Sequence, residues 1–322
     1  SLFSIYMLNK DFFCFIYAKN APLLRNSLLE TKEVFMTTLE QAKQMADGYK
    51  VVPISREILS DTVTPMEVLR ILKGKHCYML ESVENQEVWG RYTFLGYDPK
   101  LEITCMNGEM CIRESGSEEG AKEPVAHPGA KIKEILKEYT SPKVKDLPSF
   151  TGGLVGYFSY DYVKYSEPKL NLDADDQEGF KDVDLMLFDK VIAFDNLRQK
   201  IYIIANARTE NLEQEYDRCL AEIEEIVDLI EHGTPAQITP GKITSEFRPL
   251  FSEQEYCAMV EKAKHYIREG DIFQVVLSNP MRAKAEESLF DTYRVLRTHN
   301  PSPYMLYFSS DDIESAHAVA YA

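Results

Sequence analysis

Asn107-Gly108 stands between two short segments, 101–106 and 109–113, each carrying several apolar residues. A two-residue connection whose twist suits antiparallel strands needs φ > 0 at both central positions, and Asn-Gly supplies that at little cost. This part of the chain is therefore committed to a β-hairpin. A parallel crossover would need a dozen or more connecting residues, and none are present. A second hairpin is expected around Asp195-Asn196, joining 185–194 to 200–205.

Helices are expected between the hairpins. Thr64-Pro65-Met66-Glu67 is a capping box with Pro at the first helical position; Val68, Leu69, Ile71 and Leu72 follow, and Gly74 ends the helix. Residues 131–139 have helical spacing. Leu212, Tyr216, Cys219, Ile223, Ile226 and Ile230 give a long acidic helix one apolar face. Ser252-Glu253-Gln254-Glu255 opens another helix that Gly270 ends, and 288–299 is a further one. Strands are expected at 76–81, 91–97, 154–160, 272–277 and 304–308. Hairpins followed by helices read as an α+β fold with antiparallel sheets and flanking helices. Residues 115–124 and the acidic 167–184 are expected as polar, solvated loops. The stretch 232–249, with Gly233, Pro235, Pro240, Gly241 and Pro249, is the best linker.

Composition narrows the function. The 322 residues carry a net charge of -16, which disfavours nucleic acid and anionic membranes as partners. The six cysteines form no C-x-x-C pair and no histidine stands at zinc spacing, so free thiols in a reducing cytoplasm are expected. The apolar segments 2–8 and 12–18 are split by Asn9, Lys10 and Asp11. Neither reaches the ~20 residues of a membrane span. No P-loop, G-x-G-x-x-G or G-x-S-x-G is present. Gly152-Gly153-x-x-Gly156 precedes a strand and opens no helix, so its glycines read as close packing. On residue types alone, Gln274 is a half-buried strand residue pointing away from the face of Val275.

Two distant segments change this reading. Met79-Leu80-Glu81-Ser82 and Asn300-Pro301-Ser302-Pro303-Tyr304-Met305 together resemble the tryptophan-sensing signature of the anthranilate synthase component I family, whose members act on chorismate. Trp89-Gly90-Arg91-Tyr92-Thr93-Phe94-Leu95-Gly96 and Gly152-Gly153-Leu154-Val155-Gly156-Tyr157-Phe158-Ser159-Tyr160-Asp161 match further strands of that family. The resemblance runs from Met36 to about Glu314. It implies an anthranilate-synthase-like (aminodeoxychorismate-synthase-like) fold, and an enzyme that makes anthranilate and pyruvate from chorismate and ammonia for tryptophan biosynthesis. It implies Mg²⁺, a glutamine amidotransferase subunit that supplies the ammonia, and feedback inhibition by tryptophan. Carried over, Ser82, Pro303, Tyr304 and Met305 form the tryptophan pocket, with the two segments paired to each other. Gln274 stands where isochorismate-forming relatives have a lysine. A lysine can activate water, whereas an amide can only position a nucleophile that is already competent, such as ammonia. The alternatives are component I of aminodeoxychorismate synthase, in the folate pathway, and a non-catalytic module that binds tryptophan or docks on a partner.

After Ile313 the family continues into Gly-(Ala/Ser)-Ser-Pro-Glu, whereas this chain reads Glu314-Ser315-Ala316-His317-Ala318-Val319-Ala320-Tyr321-Ala322. The expectation is a fold incomplete at its C-terminus and a catalytically incomplete chain, without the family's Mg²⁺ ligands. The expected division is an extension at 1–35, a regulatory N-terminal domain at 36–232, a linker at 233–251, and the beginning of a chorismate-binding domain at 252–322.

Overall fold

The structure, a computed structural model, describes residues 36–74, 76–82, 90–167, 169–170, 179–311 and 313–319. The expected extension at 1–35 lies outside them, as does Trp89. In chain order the elements are α1 (Leu39–Met45), β1 (Val51–Leu59), α2 (Pro65–Leu72), β2 (Cys77–Glu81), β3 (Tyr92–Tyr97), β4 (Leu101–Met106), β5 (Glu109–Glu114), β6 (Ala121–Pro124) and α3 (Pro128–Lys137). Then come β7 (Gly153–Phe158), a 3₁₀ turn (Tyr160–Tyr165), β8 (Val183–Phe188), β9 (Lys190–Asp195), β10 (Lys200–Arg208) and α4 (Leu212–His232). The last group is β11 (Lys242–Ile243), β12 (Arg248–Pro249), α5 (Glu253–Glu269), β13 (Met281–Arg282), β14 (Ala285–Glu286), α6 (Phe290–His299), β15 (Tyr304–Ser309) and β16 (Glu314–Val319). No helix among the described residues is long and apolar enough to cross a membrane.

The chain forms two compact units, 238–295 and the remainder. The remainder is built on two antiparallel sheets, ordered β1-β10-β9-β3-β2-β15-β16 and β6-β5-β4-β8-β7. One row of side chains crosses the larger sheet as Leu306, Leu80, Phe94, Ala193 and Tyr202, each opposite the next. This row packs with Phe150, Val155, Met186 and Phe188, so the core lies between the sheets. The neighbouring row of Met79, Leu95, Ile192 and Ile203 points the other way. On this face α2 packs on β2 and β3, and α4 on β10 and β1. All four residues are buried, each worth about 1.5–3 kcal/mol of burial. A satellite core of Ile103, Cys105, Met110, Phe158 and Leu185 closes under Ile132 of α3.

Several expectations hold. Asn107 and Gly108 turn at φ 50° and 81°, as the hairpin requires. A Cβ on Gly156 would overlap the Asp184 carbonyl oxygen and come within 2.8 Å of Leu185 Cα, so glycine is there for close packing. Others need correction. The stretch 185–194 is not one strand: it breaks at Asp189, and β8 and β9 join different sheets. The stretch 167–184 does not end in solvent. Asp182 is buried and accepts from Asn107 N–H, Lys164 Nζ and Tyr165 Oη, each at 2.7 Å. Asp184 is buried as well and accepts from Ser310 Oγ at 3.1 Å. The proposed division also cuts across a sheet: β15 and β16, assigned to 252–322, complete the sheet built mainly from 51–208.

The unit 238–295 contains α5 and two short ribbons, β11 with β14 and β12 with β13. The Ser252 capping box forms as expected, and Gly270 ends α5 in the left-handed region. Residues 272–277, expected as a strand, are not one. A strand needs a neighbour to take its N–H and C=O groups, and no described strand pairs with this stretch. Phe273 stands 93% exposed and Val276 70%.

Candidate functional site

β2 and β15 lie side by side, with Met305 opposite Glu81 and Leu306 opposite Leu80. Pro301 and Pro303 cannot donate backbone hydrogen bonds, so β15 begins only after them. Ser302 between them is buried, and its Oγ accepts the Tyr304 N–H at 3.4 Å. Continued by one residue toward β15 and by two toward β3, the register would bring Ser82 opposite Tyr304 and Tyr92. Two segments more than two hundred residues apart thus share one end of one sheet.

Strand alternation divides the expected residues between two faces. Ser82 and Tyr304 belong with Leu80 and Leu306, on the face toward the second sheet. Tyr92 and Phe94 continue that face, with ring centroids 5.8 Å apart, and Phe94 meets Phe150 edge-on at 5.7 Å. Tyr304 is half exposed. The result is an aromatic and aliphatic wall ending in a hydroxyl. Met305 is 2% exposed and lies on the opposite face beside Glu81. It shapes this end of the sheet from behind the wall.

Two ion pairs fix the same end. Arg297, in the last turn of α6, donates Nε to Glu81 Oε1 at 2.7 Å and Nη2 to Oε2 at 2.5 Å. Arg91 donates Nη2 to Asp195 Oδ2 at 2.6 Å, while the N–H groups of Leu197 and Arg198 reach Oδ1 at 3.1 and 3.0 Å. Burial pushes the Asp195 carboxyl up, but the Arg91 hydrogen bond and the two N–H groups outweigh it and hold it below the usual carboxylate range. Burial pushes the Tyr92 hydroxyl up to about 12, so it is neutral near pH 7. Asn196 Nδ2 ties the Gly90 carbonyl and Thr93 Oγ1 together at 3.2 Å each.

Ser82, Pro303, Tyr304 and Met305 are thus brought to one sheet end. Gln274 belongs to the other unit, is exposed, and lies on no strand. Sequence reading named Glu81 only as part of the Met79–Ser82 signature, without a role, and missed Tyr92, Arg297 and Asp195 as parts of this end. A positive charge in a helix's last turn and an acid in a hairpin turn were the available signals, and both are common for local reasons. A separate cleft of about 270 Å³ lies by the start of β2, lined by His76, Glu102, Arg113 and Asp311 among others. Its charges satisfy one another: His76 Nδ1 meets Glu102 Oε1 at 2.5 Å and Nε2 meets Asp311 Oδ1 at 2.8 Å, and Arg113 pairs with both acids. No group of three or more His, Cys, Asp or Glu among the described residues is arranged to hold a metal ion.

A model of the chorismate binding enzyme family matches residues 75–317. Anthranilate synthase component 1 of Acetivibrio thermocellus is 36% identical over 283 residues, covering 85% of this chain and 57% of that protein. The protein of the same name from Aquifex aeolicus (strain VF5) is 37% identical over 285 residues, covering 86% of this chain and 57% of that protein. Among solved structures, anthranilate synthase component I from Streptococcus pneumoniae TIGR4 is similar with a TM-score of 0.58 at 26% identity, covering 80% of this chain and 55% of that one. The chain spans a little over half the length of these relatives.

Proposed function

Since this chain belongs to the family of chorismate binding enzymes, we propose that the whole protein is the large subunit of an anthranilate synthase, converting chorismate and ammonia to anthranilate, pyruvate and water. The similarity to curated component 1 proteins over 85% of the chain supports this. A glutamine amidotransferase subunit delivers the ammonia, since no motif of this chain resembles a glutaminase. The protein works in the cytoplasm, in keeping with the free thiols of Cys77, Cys105 and Cys219. Gln274 helps hold ammonia as the nucleophile. Its amide does not titrate and cannot generate hydroxide, so attack by water is not favoured. Mg²⁺ belongs to this reading through the family resemblance alone, and no step is assigned to it.

Tryptophan inhibits through the end of β2 and β15. The observation that supports this is the pairing of Met305 with Glu81 and of Leu80 with both Leu306 and Phe94, which brings the ends of β2, β15 and β3 together at Ser82, Tyr304 and Tyr92. An indole ring fits against a flat wall such as that of Leu80, Phe94 and Tyr92. The charged end of the amino acid needs a polar partner, which Ser82 supplies. A hydrogen bond to a charged group is worth about 1.5–3 kcal/mol. Ser82→Ala in the full-length protein with its amidotransferase subunit should therefore raise the half-inhibitory tryptophan concentration roughly tenfold or more, while anthranilate is still produced. Unchanged inhibition with slowed turnover would remove Ser82 from the regulatory site. Identifying the aromatic product as anthranilate separates this reading from aminodeoxychorismate synthesis.

A further inference from the structure

We propose that Arg297 is a positioning residue of the tryptophan-responsive site, acting by clamping Glu81 and so fixing the place of Ser82. This rests on the regulatory reading of Ser82 given above. The Glu81 side chain is 5% exposed, and each of its oxygens accepts from one N–H donor, Nε or Nη2, along one edge of the Arg297 guanidinium. That two-point geometry fixes direction as well as distance, and a lysine ammonium cannot reproduce it. Glu81 is the residue before Ser82 and stands opposite Met305. Arg297 stands three residues before Asn300, at the head of the Pro301-Ser302-Pro303 segment that leads into β15. One ion pair therefore joins both chain segments that make the site, and joins them at the point where each leaves regular structure.

Stability alone does not account for a charged pair there. Desolvating two charges is costly, and apolar side chains of similar volume commonly hold such a position as well or better. Apolar residues are accommodated along this row: Met305, Phe194 and Ile201 lie on the same face and are buried, with Thr93 the one other polar residue among them. What the pair supplies in addition is orientation. It sets the angle at which the chain passes from Glu81 to Ser82, and with it the direction of the Ser82 hydroxyl.

The test uses the full-length protein with its amidotransferase subunit, measuring inhibition by L-tryptophan, chorismate KM, kcat and melting temperature. Arg297→Lys keeps the charge and loses the fork. It should raise the half-inhibitory tryptophan concentration about tenfold, the scale of one charge-assisted hydrogen bond, with KM and kcat within about twofold of the parent. Glu81→Gln combined with Arg297→Lys should be no worse than Arg297→Lys alone, because both act through one contact. The apolar pair Glu81→Met with Arg297→Met guards against simple unfolding. It should keep the parent's melting temperature and still lose inhibition. A stable apolar pair with parental inhibition would reduce Arg297 to a structural brace and overturn the proposal. If Ser82→Ala weakens inhibition while every Arg297 variant retains it, this inference fails and the regulatory reading stands. If Ser82→Ala also changes nothing, both fail together.

Discussion

Replacing Asp195 by alanine should cost about 3 kcal/mol of folding stability. Its side chain is fully enclosed, at 0% exposure, and it accepts from the Arg91 guanidinium and from two backbone N–H groups in the β9–β10 turn. Removing one partner of a buried pair costs about 3–5 kcal/mol when the other charge is left stranded. Arg91 is 27% exposed and can turn partly to water, which places the expected loss at the lower end of that range. A domain of 150–250 residues loses roughly 2–4 °C of melting temperature per kcal/mol, so a drop of about 6–12 °C should follow. Urea unfolding followed by far-UV circular dichroism reads the same loss as a lower midpoint with an unchanged slope. Arg91→Ala, alone and combined with Asp195→Ala, completes the cycle. The double variant should lose less than the sum of the singles by about 1 kcal/mol or more, since it leaves neither charge behind. An Asp195→Ala protein within about 0.5 kcal/mol of its parent, or strict additivity in the cycle, would show that the strands alone hold this end of the sheet.

The same residue predicts an acid response. Its folded pKa lies below its unfolded value of about 3.9, so its stabilisation is full above that pH and is lost as the pH falls through the folded value; Asp195→Asn should flatten the fall of the urea midpoint below about pH 4. Tyr165→Phe removes a hydroxyl that donates to Asp182 and accepts from Gly108 N–H, both at 2.7 Å, and should cost about 1–3 kcal/mol by thermal melting. The same change at the exposed Tyr160 should do nothing measurable. In a Cys14→Ser background, the exposed Cys257 should react with a disulfide reagent in the folded protein. Cys77 and Cys219, buried and with thiols pushed up to about 12, should react only after denaturation.

What was legible in the sequence was local. The Asn107-Gly108 turn, the caps at Thr64 and Ser252, and the apolar face of α4 each rest on contacts a few residues apart, and each formed. β1 was not foreseen; it contains Pro53, and its place at the sheet edge is where a proline is tolerated. The break at Asp189 falls where Asp189-Lys190 interrupts two apolar runs, but a charged pair alone does not say that the runs on either side join different sheets. Asp182 read as solvated because its partners, Asn107, Lys164 and Tyr165, are remote or come from a turn that was not expected. The resemblance brought Ser82 together with Pro303, Tyr304 and Met305, and the strand register gave that juxtaposition a geometry. The Glu81–Arg297 pair spans 216 positions, and no periodicity or composition marks such a partnership.

The position of β15 bears on how the molecule is made. Five strands of its sheet, β1, β2, β3, β9 and β10, lie between residues 51 and 208, yet β2 keeps an unpaired edge until residues 304–309 have been synthesised. At translation rates of about 5–20 residues per second, that edge stays open on the ribosome for roughly 10–50 s. During this time it is a template for any other extended strand, including one from a neighbouring nascent copy. This end of the sheet thus closes well after β2 and β3 have been made, and variants that slow the arrival of β15 should lower the yield of folded protein before they alter the finished molecule.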